Sequence, residues 1–402
     1  MKVLQINSVC GYGSTGRIAT DIHNILTEQG HKSYVAYGRG EARNCETSIK
    51  IGSNYDVYKH VALTRVFGKH GFGSKKATIE FIDKVKKLDP DIIHLHNIHG
   101  YYINIELLFK YLKEANKPVV WTLHDCWAFT GHCAYFDYIG CDKWKDRCYN
   151  CLQKNSYPKS IFIDNSNYNY ERKKELFIGV KNMTIVTPSK WLANLVNQSF
   201  LKEYSVKVIN NGIDLEIFKP TESNFRKKYK LEDKFIILGV ATVWDRRKGL
   251  KYFIELAEKV SEDEVIVLVG LSDKQIEQIP KNVIGITRTN NVEELVDIYS
   301  SADVFVNPTL EEVMGLVNVE ALACGTPVIT FNTGGSIECI DAETGFVVEK
   351  GNLNELIDRI VEIKKKGKSN YSMKCVKRAI KLYDKNDRFN EYIELYDSHL
   401  SK

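Results

Sequence analysis

The stretch NPTLEEVMGLVNVEALACGTPVI, Asn307 to Ile329, starts where an apolar run ends and a helix is about to begin. Asn307-Pro308 closes the run, a loop follows, and the spacing predicts a helix opening near Gly315. A glycine there lets a ligand approach the backbone, and the first helical N–H groups then face an anion. Leu316 and Glu320 are one turn apart on one face, with Val317 beside them. A carboxylate at Glu320 can accept two hydrogen bonds from a vicinal diol such as a ribose. Glu312, eight positions earlier on the loop, reaches what lies beyond the phosphates. The plainer alternative is two solvated glutamates on an amphipathic helix.

Outward from this stretch the chain alternates short apolar runs with longer helical patterns, twice over. Strands are predicted at 3–7, 33–37, 92–97, 119–124 and 184–187, then at 235–241, 265–270, 283–287, 304–307 and 328–331. Runs as apolar as Val265-Ile266-Val267-Leu268-Val269... read, in sequence, V-I-V-L-V, as parallel strands covered by helices on both faces. The fold class is therefore α/β, with two Rossmann-like domains. The expected seam is Asn210-Asn211-Gly212-Ile213-Asp214, giving domains at 1–210 and 211–385, and a C-terminal helix at 386–402 that crosses back to the first. Ligands of open α/β sheets bind at the carboxyl ends of the strands. That favours the loops after Asn7, His96, His124, Ala241 and Asn307 over Asp89-Pro90-Asp91, which precedes its strand.

The 402 residues, 44% hydrophobic and 27% charged, suit two soluble globular domains, and a net charge of +5 does not suggest nucleic-acid binding. Residues 1–7 lack the apolar core of a signal peptide, and no run reaches the ~20 residues that span a bilayer, so a cytoplasmic location is expected.

Residues 307–329 resemble the signature of the retaining, GT-B-fold glycosyltransferases of family 4, as do Tyr299 to Val304 and Asn211 to Asp214. The resemblance implies two domains facing each other across a cleft. It places Glu312 against the donor sugar and Glu320 on the ribose of a nucleotide sugar, and it adds Asn211 to the donor side. Met314 stands where the family usually has Phe. In Trp244-Asp245-Arg246-Arg247-Lys248-Gly249, Lys248 and Arg247 are expected to neutralise a departing diphosphate, a role otherwise often a metal's, so no catalytic metal is expected. The family's usual Arg position is Val243 here, which makes Lys248 the firmer correspondence.

Gly11, Gly13 and Gly16 form G-x-G-x-x-G after the first strand. A dinucleotide site wants an acid at the end of the second strand, where Tyr37-Gly38-Arg39-Gly40 has none, although Arg39 would suit NADP. By resemblance, the loop instead approaches a glycosyl acceptor through Gly13, Ser14, Thr15, Gly16 and Arg17. His124, at the end of a strand, is expected beside the reacting sugar. His94, His96 and His99 read as hydrogen-bonded structure rather than as metal ligands. Cys133, Cys141, Cys148 and Cys151 end in C-x2-C, a spacing that favours a structural zinc, with four reduced thiols as the alternative. The basic, partly apolar stretch from Tyr58 to Lys76 suits either an anionic membrane surface or a helix with one solvated face.

These readings combine into a glycosyltransferase that moves a sugar from a nucleotide-sugar donor to a glycan acceptor hydroxyl, on a lipid-linked chain, with retention, in surface polysaccharide biosynthesis. The alternatives are an NADP-linked oxidoreductase built on the Gly11–Gly16 loop and a non-catalytic glycan-binding subunit.

Overall fold

A computed structural model describes residues 1–401. The chain forms two units, Met1–Ile209 together with the chain from Phe389 onward, and Asn210–Arg388.

In the first unit the strands are β1 (Lys2–Asn7), β2 (Lys32–Tyr37), β3 (Ser48–Lys50), β4 (Ile92–Leu95), β5 (Val119–Thr122), β6 (Met183–Thr187) and β7 (Ser205–Val208). They pair in parallel in the order β3-β2-β1-β4-β5-β6-β7. β4 and β5 are buried along their whole length, as strands covered on both faces must be. The final helix, Lys385–Leu400, seats Phe389, Tyr392, Ile393 and Tyr396 in this unit's core beside Val3, Ile92 and Val120. Its polar atoms are matched too: Thr122 Oγ1 donates to Tyr392 Oη at 3.2 Å, and Tyr396 Oη lies 2.6 Å from His94 Nδ1.

In the second unit the strands are β8 (Phe235–Val240), β9 (Glu264–Val269), β10 (Val283–Ile286), β11 (Val304–Asn307), β12 (Val328–Phe331) and β13 (Gly345–Val348). They are parallel in the order β10-β9-β8-β11-β12-β13. One continuous core runs from Ile236 and Val267 through Phe305 and Val319 to Ile360. Each unit is thus a doubly wound sheet, and the two together have the Rossmann-like architecture the sequence implies.

Three strands lie outside the sequence expectation: β3, β7 and β13. All are at sheet edges, and β3 and β7 contain no fully buried residue. Their apolar signal is therefore weak. β4 and β5 end two residues earlier than expected, because His96-Asn97 and Leu123-His124 already turn into the loops that follow.

Candidate functional site

The order β9-β8-β11 makes β8 and β11 the neighbours at which the second sheet reverses direction, so the loops leaving their carboxyl ends flank the crevice where α/β sheets take ligands. The loop after β8 contains a short turn, Arg246–Lys248, capped by Asp245, whose Oδ1 accepts from the Lys248 amide at 3.0 Å. The next residue has to be glycine. Gly249 has φ +78°, and a Cβ there would stand 2.1 Å from the Pro308 carbonyl oxygen. This close approach lets the two loops zip together: the Leu310 amide donates to the Arg247 carbonyl at 2.7 Å, and Arg247 Nη1 donates to the Glu311 carbonyl at 2.8 Å.

The zipped loops bring Lys248 against Glu312, and their side chains, 20% and 15% exposed, form an ion pair. Burial acts to raise the Glu312 pKa, but Lys248 and then Arg247 more than offset it, and the carboxyl is held below its ordinary range. Glu312 is also fixed by its own backbone. The Val313 amide donates to its Oε1 at 3.2 Å, and the Gly335 amide donates to its carbonyl at 2.9 Å.

The helix expected near Gly315 runs from Leu316 to Ala323, with Gly315 as its left-handed cap at φ +84°. Its first-turn amides, those of Leu316 and Val317 included, have no acceptor within the helix. Asn318, buried, locks the helix start: it accepts from Asn307 Nδ2 at 2.8 Å and donates to Ser336 Oγ at 2.9 Å. One turn on from Leu316, Glu320 accepts a hydrogen bond of 2.9 Å from the buried Tyr299 hydroxyl. The Asn211 amide donates to Met314 Sδ at 3.3 Å, which ties the chain entering this unit to the loop before Gly315. Sequence reasoning missed Tyr299, Asn318 and Ser336. A polar Asn in the otherwise apolar run Leu316-Val317-Asn318-Val319 is the signal that points to the second of them.

In the first unit, Gly11 is needed for packing. It has φ +75°, and a Cβ there would lie 2.0 Å from the Arg43 carbonyl oxygen. Gly13 begins the helix Gly13–Glu28; Gly13, Ser14 and Arg17 are exposed, Thr15 is half-buried and Gly16 is buried. Asn7 Nδ2 donates to the Val9 carbonyl at 2.9 Å and shapes this loop from below.

His124 belongs to a chain of hydrogen bonds. Gln5 Nε2 donates to the Ala19 carbonyl at 2.8 Å, which turns Gln5 Oε1 toward His96 Nε2 at 3.0 Å. His96 Nε2 then carries the proton, so its Nδ1 accepts from His124 Nε2 at 3.1 Å. Burial pushes the His124 imidazole down to about 4, with Asp125 pulling the other way. Neutral and donating through Nε2, His124 keeps Nδ1 as an acceptor. His94 bonds Thr122 Oγ1 at 2.8 Å, and His99 Nε2 lies 2.9 Å from the Asp125 carboxylate.

Cys133, Cys141, Cys148 and Cys151 all border one small cavity, and none is in a disulfide. Among the described residues, however, no three His, Cys, Asp or Glu side chains are grouped so as to hold a metal ion. The spacing therefore brings the thiols to one place without forming a finished coordination sphere.

This fold and this switch-point arrangement are those of the GT-B glycosyltransferases. Residues 15–217 match the model of Glycosyltransferase Family 4, and residues 234–366 match that of Glycosyl transferases group 1. The chain belongs to glycosyltransferase family 4. It is 26% identical, over 89% of both chains, to the protein of Escherichia coli (strain K12) named "Putative colanic acid biosynthesis glycosyl transferase WcaC". It is 28% identical to the "Capsular polysaccharide biosynthesis glycosyltransferase CapM" of Staphylococcus aureus, over 42% of this chain and 48% of that one. Among solved structures, Anabaena Alr3699/HepE in complex with UDP shares the fold with a TM-score of 0.70 at 16% identity, covering 99% of this chain and 100% of that one.

Proposed function

We propose that the protein transfers a sugar from a nucleotide-sugar donor to a hydroxyl of a glycan acceptor in surface polysaccharide biosynthesis, with retention. The observation that carries this reading is the Lys248–Glu312 ion pair beside the Gly315 helix start, one turn before Glu320. In this reading the amides of Leu316 and Val317 and the cations Arg247 and Lys248 take the diphosphate. Glu320, oriented by Tyr299, takes the ribose, and Glu312 lies against the donor sugar. A carboxylate held ionised by two cations is a weak proton acceptor, so Glu312 orients the sugar and its own cation rather than accepting the acceptor's proton. That suits front-side attack, in which the departing phosphate receives the proton, and it needs no catalytic metal.

The acceptor reading rests on Gly13, Ser14, Thr15, Gly16, Arg17 and His124. The free Nδ1 of a neutral His124 suits a sugar hydroxyl as donor. Polysaccharide assembly is proposed from the colanic acid and capsular relatives. In this reading residues 1–210 form the acceptor-side domain and 211–385 the donor-side domain.

A lipid-linked acceptor at an anionic membrane is supported by one patch of the first unit. Phe67 and Phe162 are exposed there, as are Arg65 and Lys69 of the adjoining stretch. The Ile161 amide donates to the Arg65 carbonyl at 2.7 Å, which makes the two segments continuous. Among the described residues no helix is long and apolar enough to cross a membrane, so contact would be peripheral. Cosedimentation with anionic vesicles should fall as salt rises, and indifference to lipid charge counts against it.

The reaction itself is tested by a thermal-shift panel of nucleoside diphosphates, their sugars and NADP(H), read together with donor hydrolysis. One nucleotide should stabilise the protein and its sugar conjugate should be turned over. A panel in which only NADP(H) stabilises would favour the oxidoreductase, and binding without turnover the non-catalytic subunit.

A further inference from the structure

Residues 130–165 of the first unit contain no helix or strand beyond the single turns Asp137–Ile139 and Lys143–Lys145. So long an irregular segment inside a compact domain needs something to hold it. It has no disulfide, yet four of its thiols border one cavity of about 20 Å³, with room for a single small occupant.

Three features of that cavity suit a soft divalent cation. The Cys133 and Cys151 thiols are already in side-chain contact with each other. A tetrahedral ion bonded to sulfur at about 2.3 Å sets the neighbouring sulfurs of its sphere about 3.8 Å apart. The Gly131 amide donates to Cys148 Sγ at 3.2 Å, the kind of bond that steadies a sulfur carrying negative charge. Beneath the cavity, Lys173 is buried in the core, where Nζ donates to the carbonyls of Trp127 at 2.7 Å and Thr130 at 3.0 Å. Thr130 itself lines the cavity, which places this amine beside the thiols. Four thiolates around a divalent ion carry two net negative charges, and a buried cation next to them compensates part of that charge.

As they stand the four thiols do not form a closed set. We propose that a zinc-class divalent ion closes it, drawing Cys141 and Cys148 onto the Cys133–Cys151 pair and bracing the segment beside His124. Each sulfur exchanges its proton for a bond to the metal, and the protons leave to solvent. The role is structural, and it is independent of which donor or acceptor the enzyme uses.

The test is the metal content of the full chain, expressed with zinc in the medium and purified without a metal-affinity step. About one zinc per chain is expected in the wild type and in Cys324→Ser, and less than about a fifth in Cys133→Ser and Cys148→Ser. Should the serine variants fail to fold, cobalt(II) added to chelator-stripped wild type must give thiolate charge-transfer bands and tetrahedral ligand-field bands. Wild type holding less than about a tenth of an equivalent of zinc, or cobalt spectra without thiolate bands, overturns the site.

Discussion

The Lys248 ammonium is paired with the Glu312 carboxylate although the two residues are 64 positions apart and follow different strands. Each is held from behind, Lys248 by the Asp245 cap and Glu312 by the Gly335 amide. Removing one partner leaves the other largely buried and unpaired. Lys248→Ala and Glu312→Ala should each lower the melting temperature, and the double variant should lose less than their sum. A coupling of about 1–3 kcal/mol is expected from a denaturant-based double-mutant cycle. Strict additivity would mean that the pair does not exist in solution.

Gly249 should tolerate no side chain. With φ +78° and the Pro308 carbonyl 2.1 Å from where a Cβ would sit, Gly249→Ala forces the loops after β8 and β11 apart. We expect a destabilisation of about 1–3 kcal/mol, together with loss of nucleotide binding. Neutral behaviour in both measurements would show that the two loops are not locked together.

The first unit should be the acid-sensitive one. Burial lowers the pKa of His60, His124 and His132 to about 4, and that of His70, His94 and His96 well below the ordinary 6.5. Between about pH 6.5 and 4 the unfolded chain binds protons that the folded unit refuses, so stability rises with pH across that window and is lost as pH falls. Each independent group contributes about 1.4 kcal/mol per pH unit within its window, less where the rings are coupled. At pH 5 the hydrogen-exchange protection factors should fall in residues 1–209 before they do in residues 210–388. An equal loss of protection in both units contradicts this.

Tyr299→Phe removes the hydroxyl that donates to Glu320 and leaves the ring in place. The fold should persist, and nucleotide affinity should weaken by about 1 kcal/mol as Glu320 loses its orientation. A KM that rises several-fold for the donor while kcat stays level would be the matching kinetic signature. An unchanged KM would take Tyr299 out of the site.

Ten of the strands were legible because they are central or strongly apolar. Lys2–Asn7 and Val328–Phe331 show it through runs that burial on both faces requires. β3, β7 and β13 were not, since a short edge strand such as Ser205–Val208 alternates between exposed and half-buried positions and leaves a faint pattern. Within the candidate site, the grouping of Glu312, Gly315 and Glu320 is legible because they lie close together on one loop and helix. The pairing of Lys248 with Glu312, and of Tyr299 with Glu320, depends on which strands become neighbours, and no local pattern contains that. The four cysteines show the same division: their spacing foretold that they would meet, but not that the sphere would stand open.

The central claim, that the Gly315 helix start and its two glutamates hold the donor, is tested most directly by calorimetric titration with the nucleoside diphosphate that best stabilises the wild type. Glu320→Ala should weaken binding by about 1–3 kcal/mol, while Glu312→Ala should bind it nearly as wild type does and lose turnover instead. Undiminished nucleotide affinity in Glu320→Ala, with undiminished turnover in Glu312→Ala, would contradict the account.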